Sequence, residues 1–558
     1  MRLRLRTTSL FSLLILSVVL FVASMSLHVS RDLLSSSTLN SIVSESVYMS
    51  SSSAVRELLH QEPSPRVSQS RLPYPAQAVL LPDWEALLLY PRGAVGGGGG
   101  KLRCLFKDGS ASPASSAGVI PGSDLAAFRC PLPRSVRGIR PFHSPRLIWP
   151  GSPILKSDVW NRPPEMIRWT RLVYEAVSTP DDVIVFAKGI NNRRGVSRPA
   201  ADVSCVYLSG DGSAVAIATA TSSAQEVFRC PHPPKEAASG TSETLRVSLS
   251  ITSDPDPIPS LATYRPPRAT PRDSRALMCA CTMVYNAAKF LPEWVVYHAG
   301  VGVERFIFYD NGSEDDLESV VARLNSEGFN VSTRHWPWPK TQEAGFSHCA
   351  AVNRDTCQWM GFLDVDEFVF SPAWSGSAEP NRSMLTSLLP SEPDIGQVSI
   401  GCYEFGPSGN RVHPKGGVTQ GYTCRRREEQ RHKSFVQLDA LDRSLVNSVH
   451  HFGLTDGFET KRVPIASARV NHYKYQAWAE FKVKFRRRVS TYVADWTDPV
   501  NPQSKDRTPG LGFSAVEPTK WSNMFCDVED TRLKNTTQKW FAAAVPDSDG
   551  RRRMAWEL

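Results

Sequence analysis

The sequence lacks the glycine-rich motifs that commonly bind phosphate groups. It contains neither Gly-X-Gly-X-X-Gly nor the Walker lysine that follows a glycine-rich loop. In those motifs backbone N–H groups surround a dinucleotide or ATP, so their absence argues against both kinds of site. A nucleotide bound by this chain would have to be held by other groups.

Zinc-binding spacings are also missing from the eleven cysteines. Their number fits an oxidising compartment, and because it is odd, at least one cysteine is unpaired within the chain. Cys279 and Cys281 stand one residue apart in an apolar run, where a strand would point both to the same face. We expect these two to be buried thiols.

Acidic residues are absent before Asp32. Three arginines lie ahead of an apolar stretch at 10–29, and basic residues before such a span hold the N-terminus in the cytosol. The pattern predicts a cytosolic tail (1–8), a type II membrane anchor (9–29) and a stem (30–72). The alternative is a cleaved signal peptide, because small residues at 22–24 offer a cut site.

Both alternatives deliver the chain to the secretory pathway. Four Asn-X-Ser/Thr sequons agree with that compartment. The net charge of +9 includes basic clusters at 425–427, 486–488 and 551–553. We expect no nucleic-acid partner in the secretory pathway. The basic clusters are either solvated surface or a binding surface for a diphosphate or an acidic glycan.

An internal repeat occupies the segment 73–250. Its two copies each contain Asp-Gly-Ser between apolar runs and close with Phe-Arg-Cys-Pro, a composition that predicts β-hairpins. The matched positions predict one disulfide per copy, Cys104 with Cys130 and Cys205 with Cys230. We predict a sandwich-like β-rich module, either one sandwich of two halves or two small ones. It is either a carbohydrate-binding module, with exposed aromatics such as Trp84, or a spacer.

A proline-rich linker is predicted at 251–275, and strands then alternate with helices over 276–545, before a C-terminal tail at 546–558. The alternation predicts an α/β domain with a mainly parallel sheet, whose ligands gather beyond the carboxyl ends of the strands. Asn286, Asp310 and Asp364 all fall at such ends. Asp310 would hold one part of a nucleotide, and the acidic motif at 364–367 would hold another.

That acidic motif is Asp364-Val365-Asp366-Glu367, which follows the apolar run 360–363. On an extended chain Asp364 and Asp366 face the same way. Two carboxylates on one side suit Mg²⁺ or Mn²⁺, which recruits substrate phosphates to complete its coordination. A solvated acidic turn is the competing interpretation.

Several motifs together resemble glycosyltransferase family 92, and its plant members most. They cover about 276–490 and comprise Met283-Val284-Tyr285-Asn286, Glu293-Trp294-Val295-Val296-Tyr297-His298, Phe308-Tyr309-Asp310-Asn311-Gly312-Ser313, Phe362-Leu363-Asp364-Val365-Asp366-Glu367-Phe368, Phe405-Gly406-Pro407-Ser408-Gly409, Val449-His450-His451 and Asn471-His472-Tyr473 with Glu480, Phe481 and Lys484. The resemblance implies a GT-A fold, a UDP-sugar donor, Mn²⁺ dependence and inversion at the anomeric carbon. Characterised relatives use UDP-galactose, and some extend plant β-1,4-galactan and carry an N-terminal carbohydrate-binding module.

The chemistry of single residues suggests their roles. Asp366, supported by Asp364, would bind the metal, and His472 would be a third ligand. Lys484 would reach the β-phosphate, beside the nucleotide-sugar ligands Asn286, Asp310 and Asp364. Glu404 and Glu367 are the candidates for the catalytic base. Trp336 and Trp338 either stack a sugar ring or anchor a loop in the core.

We therefore expect a metal-dependent Golgi galactosyltransferase of type II topology that acts on a glycan or cell-wall polysaccharide, with Mn²⁺ as cofactor and Mg²⁺ as a substitute. A homodimer is a further expectation. The first alternative is a non-catalytic, lectin-like membrane protein of the same fold, which the intact acidic pair disfavours. The second is a two-metal phosphohydrolase, which would need more acids and histidines at other strand ends.

Overall fold

The computed structural model describes residues 72–95, 102–120, 123–150, 163–191, 196–236, 245–267, 275–483 and 517–557, apart from positions 73, 83 and 449. It also describes a two-residue strand, β1 (Ser44–Glu45). The predicted anchor at 9–29 lies outside the described residues, as does Lys484. In the described part of the chain no helix is long and apolar enough to span a membrane.

The N-terminal part of the chain is built from short β-strands. They are β2 (Gln77–Leu81), β3 (Glu85–Pro91), β4 (Arg103–Leu105), β5 (Ala111–Pro113), β6 (Ser115–Val119), β7 (Leu125–Pro131), β8 (Arg146–Ile148), β9 (Ile167–Arg168), β10 (Leu172–Ser178), β11 (Val183–Lys188), β12 (Val203–Leu208), β13 (Ala214–Thr219), β14 (Ser222–Ala224), β15 (Val227–Cys230) and β16 (Arg246–Ile251). This confirms that both copies of the repeat are β.

The two copies form two small sandwiches with the same topology. In sandwich 1 one sheet has the order β6-β7-β3-β2-β9 and the other β5-β4-β8. In sandwich 2 the corresponding sheets are β14-β15-β11-β10 and β13-β12-β16. Apart from β9, each strand of sandwich 1 has its counterpart eight strands later. The repeat seen in the sequence is therefore a repeat of the whole fold.

One disulfide joins the two sheets of each sandwich. Cys104 on β4 is bonded to Cys130 on β7, and Cys205 on β12 is bonded to Cys230 on β15. All four cysteines are fully buried. The structure thus confirms the predicted pairing. Trp84 is only half-buried and packs against Phe142.

The α/β domain follows. Its strands are β17 (Ala276–Val284), β18 (Arg305–Asp310), β19 (Val331–His335), β20 (Cys357–Phe362), β21 (Glu367–Phe370), β22 (Ile395–Glu404), β23 (Cys424–Arg425), β24 (His432–Gln437), β25 (Glu459–Val463), β26 (Arg469–His472) and β27 (Val528–Glu529). Its α-helices are α1 (Leu291–Val301), α2 (Leu317–Ser326), α3 (Gln342–Val352), α4 (Val418–Gly421) and α5 (Arg532–Phe541).

A mixed sheet forms the centre of this domain. Its order is β1-β19-β18-β17-β20-β24-β22-β26-β21, and β25 also pairs with β22. Strands β19, β18, β17 and β20 are mutually parallel, whereas β24 is antiparallel to both neighbours. This confirms the predicted α/β architecture. Helix α3 ends at Val352, and the chain enters β20 at Cys357.

The prediction of buried thiols at Cys279 and Cys281 is wrong. Both face the same side of β17, as expected, but Cys279 is bonded to Cys357 and Cys281 to Cys349. The two bonds tie the first strand of the domain to β20 and to α3. Cys424 and Cys526 form another disulfide, and Cys402 is a buried free thiol.

The sandwiches share a hydrophobic core with the α/β domain. Trp169 stacks on Trp338 with ring centroids 5.1 Å apart, and Trp336 packs against Tyr309. Both Trp336 and Trp338 are buried. They anchor the core, so they do not stack a sugar ring. Part of the proline-rich segment also pairs with the sandwich, since the Val173 N–H donates to the Pro259 carbonyl.

Candidate functional site

The acidic motif lies where β20 ends and the chain turns into β21. Because β17, β18 and β20 are parallel, their carboxyl ends meet at one edge of the sheet. Asp364 follows β20 by two residues, and Glu367 opens β21. The motif therefore occupies the position in which open α/β sheets bind ligands.

Three strands bring the other candidate side chains beside it. On β26, His472 is in register with Glu367 of β21 on one side and with Glu404 of β22 on the other. Residues in register on neighbouring strands point to the same face of a sheet. The fold thus gathers three predicted site residues that are far apart in the sequence.

Asp366 and His472 face each other. Oδ2 of Asp366 lies 3.5 Å from Nε2 of His472. Two neighbouring ligands of an octahedral Mg²⁺ hold their donor atoms about 3 Å apart, so this pair fits one hard cation after a small adjustment. Among the described residues no three His, Cys, Asp or Glu side chains form a preassembled metal site.

Asp364 belongs to a buried ionic cluster that the sequence did not reveal. Nζ of Lys433 on β24 lies 3.1 Å from Oδ2 of Asp364 and 2.6 Å from Oε1 of Glu367. The same Nζ lies 2.6 Å from Nε2 of His450. Nδ1 of His450 lies 2.7 Å from the Phe362 carbonyl and donates to it if the ring is neutral.

Burial and charge set the protonation of this cluster. Burial by itself would raise the pKa of Asp364, but Lys433 lowers it well below its ordinary value. Burial lowers the pKa of His450 to about 3, with Lys433 adding to the effect, so the ring is neutral at physiological pH. Although burial alone would lower it, the pKa of Lys433 is raised by Asp364 and Glu367. The lysine is therefore a permanent cation.

Glu404 also has cationic partners. Oε1 of Glu404 contacts Nζ of Lys474, and Oε2 lies 3.7 Å from Nη1 of Arg426. Burial alone would raise the pKa of Glu404, but Lys474 brings it below the ordinary value, so the group is ionised. Glu404 and Glu367 are both buried, at 3% and 0% exposure, and Oε2 of Glu367 accepts the backbone N–H of Asp364.

Asn286 and Asp310 both hold the loop that follows β18. Oδ1 of Asn286 accepts the N–H of Glu314 at 2.7 Å, and Oδ1 of Asp310 accepts the N–H of Ser313 at 2.8 Å. Oδ2 of Asp310 lies 3.6 Å from Nδ1 of His335. These contacts shape the loop at the strand ends. A direct contact of either residue with a nucleotide stays a prediction.

Sandwich 1 reaches the same loop. Nη2 of Arg129 on β7 lies 3.4 Å from the Pro337 carbonyl and packs against Gly312, where an added Cβ would lie 3.2 Å from it. The N-terminal part of the chain therefore lies against the strand-end edge that carries Asp310.

Sequence reasoning missed Lys433, His450 and Lys474 as members of the site. His450 stands in one of the family-like motifs, and Lys474 follows His472 by two residues, so the sequence offered grounds for including both. No local sequence pattern indicates Lys433, because only the pairing of β24 with β20 and β22 brings it to the acidic motif.

Comparisons with known proteins agree on one family. The family model described as glycosyltransferase family 92 matches residues 274–508. A protein of that family from Ricinus communis is 42% identical over 396 residues, which span 68% of this chain and 68% of the relative. One from Oryza sativa is 38% identical over 83% of this chain and 80% of its own length. Among solved structures, a Pyrobaculum calidifontis mannosyltransferase in complex with GDP-mannose and Mn²⁺ aligns at 13% identity over 42% of this chain and 68% of that one, with a TM-score of 0.24.

Proposed function

Because this chain belongs to glycosyltransferase family 92 and is thus a glycosyltransferase, we propose that it is an inverting, metal-dependent enzyme that transfers a hexose, galactose from UDP-galactose, to a glycan or polysaccharide. The observation that carries the proposal is the register of Glu367, His472 and Glu404 beside the Asp364-X-Asp366 motif. That arrangement supports the proposal because carboxylates and an imidazole, which can bind a cation or accept a proton, lie together at the strand-end edge of the sheet.

Asp366 and His472 are the residues that would hold the cation. Their donor atoms already lie close together, and carboxylate and imidazole are both ligands of Mn²⁺. The bound cation would supply Lewis-acid stabilisation of the negative charge that grows on the departing diphosphate. Asp364 keeps Oδ1 free of hydrogen-bond partners among the described residues, so this oxygen is available to the nucleotide sugar or to the cation's water shell.

Glu404 is the proposed catalytic base. It accepts the proton of the acceptor hydroxyl while the hydroxyl oxygen bonds to the anomeric carbon and the bond from that carbon to UDP breaks. Its low pKa keeps it ionised for this step. Glu367 is a poorer candidate because both of its oxygens are closely engaged, by Lys433 at 2.6 Å and by the Asp364 N–H at 2.9 Å, whereas Oε2 of Glu404 lies 3.7 Å from Arg426.

The proposal extends to the compartment. A Golgi membrane protein of type II topology, with the α/β domain in the lumen, is supported by the N-terminal sequence pattern and by five disulfides among the described residues. A GT-A-type fold is supported by the family membership and by the acidic motif at the edge of a mixed sheet.

A panel of UDP-sugars tests the proposal. The purified full chain is incubated with each donor, with Mn²⁺ or EDTA, and with galactan and other plant oligosaccharides as acceptors. We expect UDP release and a product one sugar longer with UDP-galactose, both abolished by EDTA. Transfer from another donor would correct the sugar, and transfer that resists EDTA would overturn the metal dependence.

A further inference from the structure

Lys433 is a buried cation in the middle of the site that the proposed chemistry leaves without a task. Its side chain is 6% exposed, and its Nζ contacts Asp364, Glu367 and His450. The residue stands on β24, paired with Ile400 of β22, so backbone pairing on that side fixes where the ammonium lies. A solvated salt bridge would show neither this burial nor this number of partners.

The Lys433 ammonium lies beside Asp364 and Glu367, near the pair of Asp366 and His472. It contacts Oδ2 of Asp364 and Oε1 of Glu367. The same Oε1 lies 3.5 Å from Nδ1 of His472, and the other ring nitrogen of His472 faces Asp366. The carboxylates of Asp364, Glu367 and Asp366 thus surround two positions at which a cation can lie. Lys433 fills one, and the other lies between Asp366 and His472.

We propose that Lys433 is a positioning residue that acts as a fixed cation, occupying the place between Asp364 and Glu367 so that an exchangeable divalent ion binds only beside Asp366 and His472. The inference rests on the proposed function. Lys433 also holds Asp364, since its Nζ binds Oδ2 at 3.1 Å.

The idea makes an unusual prediction about metal affinity. Loss of Lys433 removes one positive charge from a group of three carboxylates, two of them buried, so Mn²⁺ should bind at least as tightly as before. The ion is then free to sit between Asp364 and Glu367, away from the diphosphate. Transfer should fall by roughly the 10- to 100-fold typical of residues that orient metal ligands.

The test compares Lys433→Met, which is close in length and uncharged, with Lys461→Met in the full chain. Lys461 pairs with Glu392 at the surface of β25. Bound Mn²⁺ is measured from the free-ion EPR signal without donor, and kcat and KM are measured with the active UDP-sugar. We expect Lys433→Met to keep a Kd for Mn²⁺ equal to or below the wild-type value while kcat falls at least about 10-fold. Lys461→Met should match the wild type in both.

Other results would overturn the inference. Wild-type kcat in Lys433→Met, or a Mn²⁺ Kd raised 10-fold or more, would show that Lys433 does not direct the ion. If Lys433→Met fails to fold, the double variant Glu367→Gln with Lys433→Met removes both charges of the buried Lys433–Glu367 pair. A wild-type kcat in that double variant would count equally against the inference. A wild-type chain that binds no Mn²⁺ or transfers no sugar would instead contradict the proposed function itself.

Discussion

Glu404 on β22 and Glu367 on β21 lie on the two strands that flank β26, and their surroundings suit them to different tasks. Both flank His472 and both are buried, but Glu404 is paired with Lys474, which is 15% exposed, whereas Glu367 accepts the Asp364 N–H and contacts the buried Lys433. A base must reach the acceptor hydroxyl. We expect Glu404 to become accessible when its partially exposed partner Lys474 moves.

Glu404→Gln should therefore lower kcat by about 100-fold or more, because the amide cannot accept the proton. The KM for the donor should change little, since the base does not hold UDP. Steady-state kinetics with the active UDP-sugar measures both. Glu392→Gln, at an exposed ion pair, is the matched control. A kcat within a few-fold of the wild type would remove Glu404 from the mechanism.

At the scale of elements, Asp530 ties the C-terminal segment to the sheet. It follows β27 and accepts Nε of Arg425 on β23 at 2.9 Å and Nε of Arg532 on α5 at 2.8 Å. Arg469 on β26 lies 3.8 Å away. Burial alone would raise the pKa of Asp530, but the hydrogen bonds from Arg532 and Arg425 lower it to about 2.

Asp530→Asn should lower the free energy of unfolding by about 3 kcal/mol, because buried arginines lose their counter-charge. The folded-state pKa is below the ordinary value, so the wild-type contribution is full above pH 4 and is lost as the pH falls toward 2. Urea titrations at pH 7 and pH 3 measure this. Asp549→Asn, at an exposed position, is the control. An equal loss for Asp530→Asn at both pH values would contradict the assignment.

The disulfide pattern can be tested directly. Non-reducing peptide mapping should recover five pairs, Cys104 with Cys130, Cys205 with Cys230, Cys279 with Cys357, Cys281 with Cys349 and Cys424 with Cys526. Cys402 should react with alkylating reagents only after unfolding, because it is buried. Alkylation of Cys279 and Cys281 in the native protein would refute the two bonds to β17.

Local patterns predicted the elements better than the contacts between them. The matched cysteines of the repeat and the alternation of strands and helices are short-range signals, and both were interpreted correctly. Cys349 and Cys357 are about 70 to 80 residues from their partners, and nothing in the local sequence links them. Lys433 escaped notice for the same reason. Its role depends on a strand pairing that periodicity alone does not reveal.

At the scale of the whole molecule, the sandwiches and the α/β domain are coupled. Besides the stack of Trp169 on Trp338, an ionic contact crosses the boundary. Asp182 of sandwich 2, buried beside Arg229 at 2.7 Å, also binds the largely exposed Arg443 of the α/β domain at 3.0 Å. Apolar and ionic contacts that are continuous across a boundary make its two sides unfold together.

Calorimetry should therefore show one unfolding transition for the sandwiches and the α/β domain. Trp169→Ala, made in the N-terminal part, should lower that single transition, with a loss of about 3 to 5 kcal/mol from the shared core. Val196→Ala, at an exposed position, should leave it unchanged. Two separate transitions in the wild type, or a variant that lowers only one of them, would show that the parts fold independently.

The most direct test of the central claim is metal-dependent transfer by Asp366→Asn. The amide keeps the shape of the side chain but removes the charge that would hold the cation beside His472. We predict that the variant folds with wild-type thermal stability, loses Mn²⁺-dependent UDP binding and transfers sugar at least about 100-fold more slowly. Transfer within a few-fold of the wild-type rate, with the same Mn²⁺ dependence, would contradict the assignment of this site.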